Sequence, residues 1–279
     1  MAAIVLALGS ALFYGLSDFL GGVKSRSIPL LTVLLVSQAS ALLALSAYVA
    51  VRGSGPPDGE FLLYAGIAGV GEAIGVAALY RGLAVGVMSL VAPTASTAPV
   101  VPIVAGIALG ELPGAVQWAG IAMAVTGIVV ASRAPSQDGT STSAVRRSLG
   151  LGLLSALGFG AFYVALDAAS EGSIPWALVT AKVTAVALFA AFALAARGVS
   201  LRPSEFPVLA LTGLLIVAAD SMYAGASTEG LLSVVAVLSS LYPVVTIALA
   251  RVVLGERLSG PQQVGVAAVL SGVVAISAG

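Results

Sequence analysis

Neither cysteine nor histidine occurs anywhere in this sequence. Without thiols there are no disulfides and no thiolate chemistry. Without imidazole the chain lacks the commonest metal ligand and the commonest general base. Charge is scarce as well: 12 basic residues are balanced by 12 acidic ones, 9% of the chain in all, so nothing in the sequence attracts nucleic acid. No catalytic residue, metal ligand set or cofactor is expected from such a composition. What remains is apolar. Of the 279 residues 59% are hydrophobic and mean hydropathy is +1.10, too little polar surface to coat a soluble globule, so the sequence reads as a membrane protein. Residues 2 to 22 lack a basic leader and are apolar throughout, and are read as a retained first span.

One block is written twice. Pro99-Val100-Val101, Leu109-Gly110-Glu111, Gln117, Gly120, Gly127 and Ser132 return as Pro243-Val244-Val245, Leu254-Gly255-Glu256, Gln262, Gly265, Gly272 and Ser277, after an almost constant interval. A period of half the chain means a duplicated domain. Outside the block, Tyr80 falls with Tyr223, Ser89 with Ser233, Tyr14 with Tyr163 and Asp18 with Asp167. The expected organisation is a first repeat over 1–132, a mobile polar linker over 133–148 and a second repeat over 149–279.

A helix needs about 20 apolar residues to cross a bilayer core of about 30 Å. Windows of that kind fall at 2–22, 30–52, 61–83, 86–110, 114–132, 149–170, 175–197, 206–228, 231–255 and 260–278. The predicted fold is therefore all-α, with ten transmembrane helices as two five-helix repeats. The runs are continuous rather than alternating, and a spanning segment must satisfy its own backbone. Five spans per repeat is an odd number, so the repeats cross the membrane in opposite senses. The basic residues agree: Lys24, Arg26, Arg81, Arg133, Arg146, Arg147, Arg197, Arg202, Arg251 and Arg257 gather at the odd-numbered connections, and the even ones hold only Arg52. By the positive-inside rule the odd connections face the cytoplasm and both termini face outward.

Inverted repeats direct attention to a site between them near the midplane, marked by Pro-interrupted spans. Ser96 and Pro99 in the fourth window match the surroundings of Ser239 and Pro243 in the ninth. Each proline frees a backbone carbonyl, either for a cavity lining or for a packing kink relieved by neighbouring hydroxyls. Ionisable groups within spans cost about 2.5–3.5 kcal/mol each on insertion scales. Glu72, Lys182 and Asp220 are the deepest, with Lys182 and Asp220 at similar depth, about 10–12 Å from the even-connection side. A Lys182–Asp220 ion pair would cancel their penalties and leave Glu72 alone. Desolvation penalises an isolated carboxylate, so Glu72 is either a neutral core residue or the proton-coupling site. Tyr14, Tyr163, Tyr80, Tyr223 and Tyr242 complete the candidate substrate cavity, against the plainer reading of packing tyrosines. Gly71 and Gly75, like Gly106 and Gly110, are spaced for close helix contact. Glu111 and Glu256 are read as capping or pairing locally.

The doubled Pro-Val-Val and Leu-Gly-Glu block, with its following glutamine and glycines, resembles the EamA-type members of the drug/metabolite transporter superfamily over essentially the whole chain. The resemblance implies two inverted five-helix repeats around a central cavity, peripheral fifth and tenth helices, and export of small metabolites, amino acids or drugs from a multi-pass protein of a bacterial inner (plasma) membrane, as monomer or homodimer. The first span departs from the family pattern in having Tyr14-Gly15 where Trp-Gly is usual. Relatives are drawn with both ends in the cytoplasm, opposite to the charge count here. The expected partners are thus a small-molecule substrate and the lipid bilayer. A lipid flippase or scramblase component is the alternative, which a cavity open sideways to lipid would favour. An intramembrane enzyme has no residues to work with here, and no ring of like charges or carbonyl filter suggests a channel.

Overall fold

The computed structural model describes residues 2–53, 55–108, 114–133, 141–196, 200, 202–229, 238–239 and 241–278, and every regular element among them is helical. Leu109, Gly110, Glu111 and Ser233 of the repeat block lie outside the described residues. The helices are α1 (Ala2–Ser27), α2 (Leu30–Arg52), α3 (Gly59–Val85), α4 (Met88–Ala95), α5 (Val100–Ala108), α6 (Ala115–Arg133), α7 (Thr142–Ser170), α8 (Ile174–Ala196), α9 (Phe206–Glu229), α10 (Tyr242–Leu254) and α11 (Gly260–Ala278). Six of them, α1, α2, α3, α7, α8 and α9, are long and apolar enough to cross a membrane; α6, α10 and α11 contribute shorter apolar stretches.

Beyond shifts of a few residues, such as the end of α1 at Ser27, two features differ from the sequence reading. The fourth window is not one helix: α4 ends at Ala95 and α5 begins at Val100. Pro99 cannot donate to Ala95, and the chain tightens into successive i→i−3 bonds, Thr97 N–H to Thr94, Ala98 to Ala95, Val100 to Thr97 and Val101 to Ala98. Three hydroxyls turn back on the same stretch: Thr94 donates to the Leu90 carbonyl at 2.7 Å, Ser96 to Pro93 at 2.8 Å and Thr97 to Thr94 at 2.7 Å. The second difference is the linker. Its last residues are helical, because Ser141 caps α7 by accepting from Ala144 N–H, and Val145 and Leu149 are buried against Leu90.

Helix contacts repeat when the halves are exchanged. The α3–α7 contact matches α9–α1, α3–α8 matches α9–α2, and α5–α7 matches α10–α1, while α2–α8 and α6–α11 each join equivalent helices. At the α6–α11 seam a Cβ on Gly120 would lie 2.7 Å from the Gly272 carbonyl oxygen, and one on Gly127 2.6 Å from that of Gly265. Position rises along one helix as it falls along the other, so the two run antiparallel. Gly120 is the repeat equivalent of Gly265, and Gly127 of Gly272, so the contact is reciprocal, as a two-fold axis requires.

One end of the bundle is laced by charge. Glu256, just beyond α10, accepts from Met88 N–H at 3.2 Å and from Ser89 N–H and Oγ at 3.1 Å, and pairs with Arg26 at 3.3 Å. It therefore caps α4 of the other half, 167 residues away in sequence from Ser89, and is not the local cap expected of it. Arg26 also donates to the Leu83 carbonyl through Nε and Nη2, and Lys24 pairs with Glu205 at 2.6 Å. A carboxylate at a helix N-terminus satisfies free amides and meets the positive end of the dipole. Glu256→Ala is expected to lower stability by roughly 1–2 kcal/mol and to speed hydrogen exchange at the Met88 and Ser89 amides while leaving that of α7 unchanged. Unaltered exchange at those two amides would show the cap to be idle.

Candidate functional site: a polar and aromatic cluster between the halves

The deepest charges meet where α2, α3 and α8 converge. Glu72 and Lys182, each 4% exposed, form an ion pair in which Lys182 Nζ donates to Glu72 Oε1. Gln38 Nε2 donates to the same oxygen at 3.2 Å. The expected Lys182–Asp220 pair is therefore not formed, and Glu72 is not the lone carboxyl the sequence suggested; its reading as a proton carrier depended on that isolation. Similar depth of Lys182 and Asp220 along their helices says nothing about azimuth, and azimuth decides pairing. Asp220 instead accepts a hydrogen bond from Tyr14 Oη across the α1–α9 contact, with the Lys182 charge still within electrostatic range.

The backbone contacts correct the register of the repeat. Gly69 packs on the carbonyl of Ala181 and the side chain of Thr184; Gly213 packs on the carbonyl of Ser37 and the side chain of Ser40. With α2 starting at Leu30 and α8 at Ile174, Gln38 and Lys182 occupy equivalent positions. Glu72 is thus held by the same position of both halves. In the same way Gly15 lies on the Tyr242 carbonyl and Val245, and Gly160 on the Ala98 carbonyl and Val101. Tyr14 is then equivalent to Phe159, and Tyr163 to Asp18, one helical turn from the sequence match of Tyr14 with Tyr163. Likewise Tyr80 falls with Ala224 rather than with Tyr223. Identity-based matching slipped because tyrosines here are not placed by the two-fold axis, whereas the small residues that let backbones touch are.

Around this pair stand the tyrosines. Tyr14 and Tyr242 meet edge to face, with ring centroids 6.2 Å apart at 62°. Tyr163 packs beside Phe162 at 5.5 Å and lies within electrostatic range of Tyr223, Asp220, Asp18 and Glu72. Of its surface 46% is accessible. Tyr80 is different: it is 1% exposed and its hydroxyl has no partner among the described residues. The hydroxyls of Ser96 and Ser239 are buried and turned to backbone carbonyls, Ser96 to Pro93 and Ser239 to Ala7 at 3.4 Å. Pro99 marks the α4–α5 break and Pro243 is buried in the first turn of α10. The structure thus brings Glu72, Lys182, Asp220, Tyr14, Tyr163, Tyr223 and Tyr242 into one neighbourhood, and assigns Ser96 and Ser239 to satisfying the backbone. Gln38 was missed, although the correct register, setting it opposite Lys182, was the signal that could have found it. Asp18 was noticed only as the sequence match of Asp167, and the register sets it with Tyr163 instead.

These features define a multi-pass helical membrane protein with a polar, tyrosine-rich interior between two related halves. The model of the EamA-like transporter family matches residues 1–133 and again 146–278, and the chain belongs to that family: it is a membrane transporter of the drug/metabolite superfamily. No curated protein matches the chain. One solved crystal structure, described only as that of a protein, is similar to it with a TM-score of 0.66 at 16% identity, covering 98% of this chain and 95% of its own; at that identity the likeness is one of fold.

Proposed function

We propose that the chain is a secondary transporter that exports a small organic solute, amino-acid-like or drug-like, by alternating access and in exchange for protons. The supporting observation is the cluster of Tyr14, Tyr163, Tyr223, Tyr242 and Asp220 beside the Glu72–Lys182 pair, at the contacts α1–α9, α3–α7 and α1–α10 that join the halves. Tyrosine faces and an uncharged-to-acidic lining suit a solute carrying an amine. Ten spans in two inverted repeats, the outermost being α6 and α11, account for the reciprocal antiparallel seam and for the odd number of windows per half. In this reading rocking of one repeat against the other exposes the cluster to each side in turn. The end laced by Lys24–Glu205 and Arg26–Glu256 is the closed one in this conformation, and it carries the basic connections that the charge rule assigns to the cytoplasm of a bacterial inner-membrane protein.

Purified protein in proteoliposomes, screened over amino acids, nucleosides and cationic drugs with and without a pH gradient, tests the function; no transport of any of them with an active, folded preparation would sink it. Asp220→Asn is expected to weaken uptake of amine-bearing solutes at least about tenfold, a change of about 1.4 kcal/mol, and to spare neutral ones; equal loss for both classes would assign Asp220 a structural part only. A reporter active only in the cytoplasm, fused to the C-terminus, should stay silent. A bright one would reverse the orientation.

A further inference from the structure

We propose that Asp18 is the residue that takes up and releases the coupling proton; this deepens the transporter reading of the same cavity and rests on it. Asp18 is 8% exposed, and among the described residues it makes neither a hydrogen bond nor an ion pair. It stands on the face of α1 that packs on α10 of the other half and on α3 and α4 of its own. Gly15, one turn before it, lies on the Tyr242 carbonyl and Val245 of α10; Gly22, one turn after it, lies on Leu83 and Met88. The Tyr80 hydroxyl, buried and without a partner, is 2.7 Å from where a Cβ of Gly21 would be. Residues three apart on a helix have Cβ atoms about 5–6 Å from each other, so that hydroxyl and the Asp18 carboxyl are near neighbours within electrostatic range. Two buried polar groups so close, neither with another partner among the described residues, are left for something small to satisfy.

The charges around it do not supply a partner. Tyr80 faces it from α3 with Glu72 beyond, Tyr242 from α10 and Tyr163 from α7, and none of these is a cation. On α9 the nearest acid, Asp220, holds Tyr14. The cations of the surrounding helices are engaged or outside: Lys182 by Glu72, Lys24 by Glu205, Arg26 by Glu256, with Arg81 and Arg251 exposed. An unpaired carboxylate buried in a membrane interior carries a large penalty, which a bound proton removes. A sodium ion would need several oxygen ligands, and no acidic cluster for a cation exists among the described residues. With the proton on, α1 and α10 close over a neutral group. When the halves part, water reaches the carboxyl and the proton leaves to it, no other bond being made or broken. Glu72 is already held by Lys182 and Gln38.

Infrared titration of the purified chain in lipid nanodiscs in deuterated buffer reads the site without any solute. At neutral pH the wild type should show a protonated-carboxyl band that Asp18→Asn abolishes and that Glu72→Gln and Asp220→Asn retain; Tyr80→Phe should shift its frequency. A band that survives Asp18→Asn, or one that emerges only when sodium is withdrawn, overturns the proposal. With the solute selected by the proteoliposome screen, Asp18→Asn should lose at least about tenfold of the pH-gradient-driven accumulation while solute-for-solute exchange persists. Full pH coupling in Asp18→Asn also overturns it. Absence of transport in the wild type would instead refute the transporter reading, and the infrared band would still decide whether Asp18 holds a proton.

Discussion

Lys182→Met is expected to destabilise the folded protein by about 3–5 kcal/mol, and Glu72→Leu combined with it to restore most of that loss. Both side chains are almost completely buried, and Lys182 is the only cation in contact with the Glu72 carboxylate among the described residues. Removing it leaves an uncompensated charge supported by one amide, that of Gln38, and the second carboxylate oxygen already lacks a partner. Removing both charges and filling the volume with apolar groups eliminates the desolvation penalty of each, so the double variant regains stability even though two attractive contacts are gone. The measurement is reversible unfolding in mixed micelles, with all four members of the cycle compared. If Lys182→Met and Glu72→Leu simply add, the pair is not coupled and the cluster is a set of separate polar groups. Lys182→Arg is not a neutral control, since a forked guanidinium does not fit a site shaped for one ammonium.

Gly69→Ala and Gly213→Ala are each expected to destabilise by roughly 1–3 kcal/mol, and by similar amounts. The sign is the informative part. In an exposed helix interior the same change gains about 0.5–1 kcal/mol, because alanine restricts the unfolded chain and favours helix. Here the new methyl group meets a backbone carbonyl, that of Ala181 for Gly69 and of Ser37 for Gly213, and backbone cannot step aside as a flexible side chain does. Equal penalties at two sites far apart in sequence follow only if the second half repeats the packing of the first. Stabilisation at either position would mean that the helices have room to separate there, and the register derived from these glycines would lose its basis.

The repeat block and the hydrophobic windows carried the family and the membrane-spanning class directly, because both are one-dimensional facts: spacing along the chain and length of an apolar run. Single-residue matches within helices carried less. Tyr14 and Tyr163 looked equivalent because identical letters sat in similar company, yet a slip of one turn leaves company unchanged and alters partners completely. Glu256 looked like a local cap because its triplet ends a helix, and nothing in the sequence tells it to reach Ser89 in the other half. Pro99 announced that the helix would break; that Ser96 and Thr97 would turn their hydroxyls onto the carbonyls of Pro93 and Thr94 was decided by the local backbone there.

The amino-acid order alone determined that this chain lies in a bilayer, that it is a gene-duplicated helical unit, and which few ionisable residues its interior must accommodate. Only the packed structure decided that Glu72 belongs to Lys182 and Gln38, that Asp220 belongs to Tyr14, and that Asp18 has no partner among the described residues. The reason is geometric: sequence fixes how deep a side chain lies along its helix, but the direction in which it points across the bundle depends on rotations of whole helices. Those rotations are set where glycines let backbones touch.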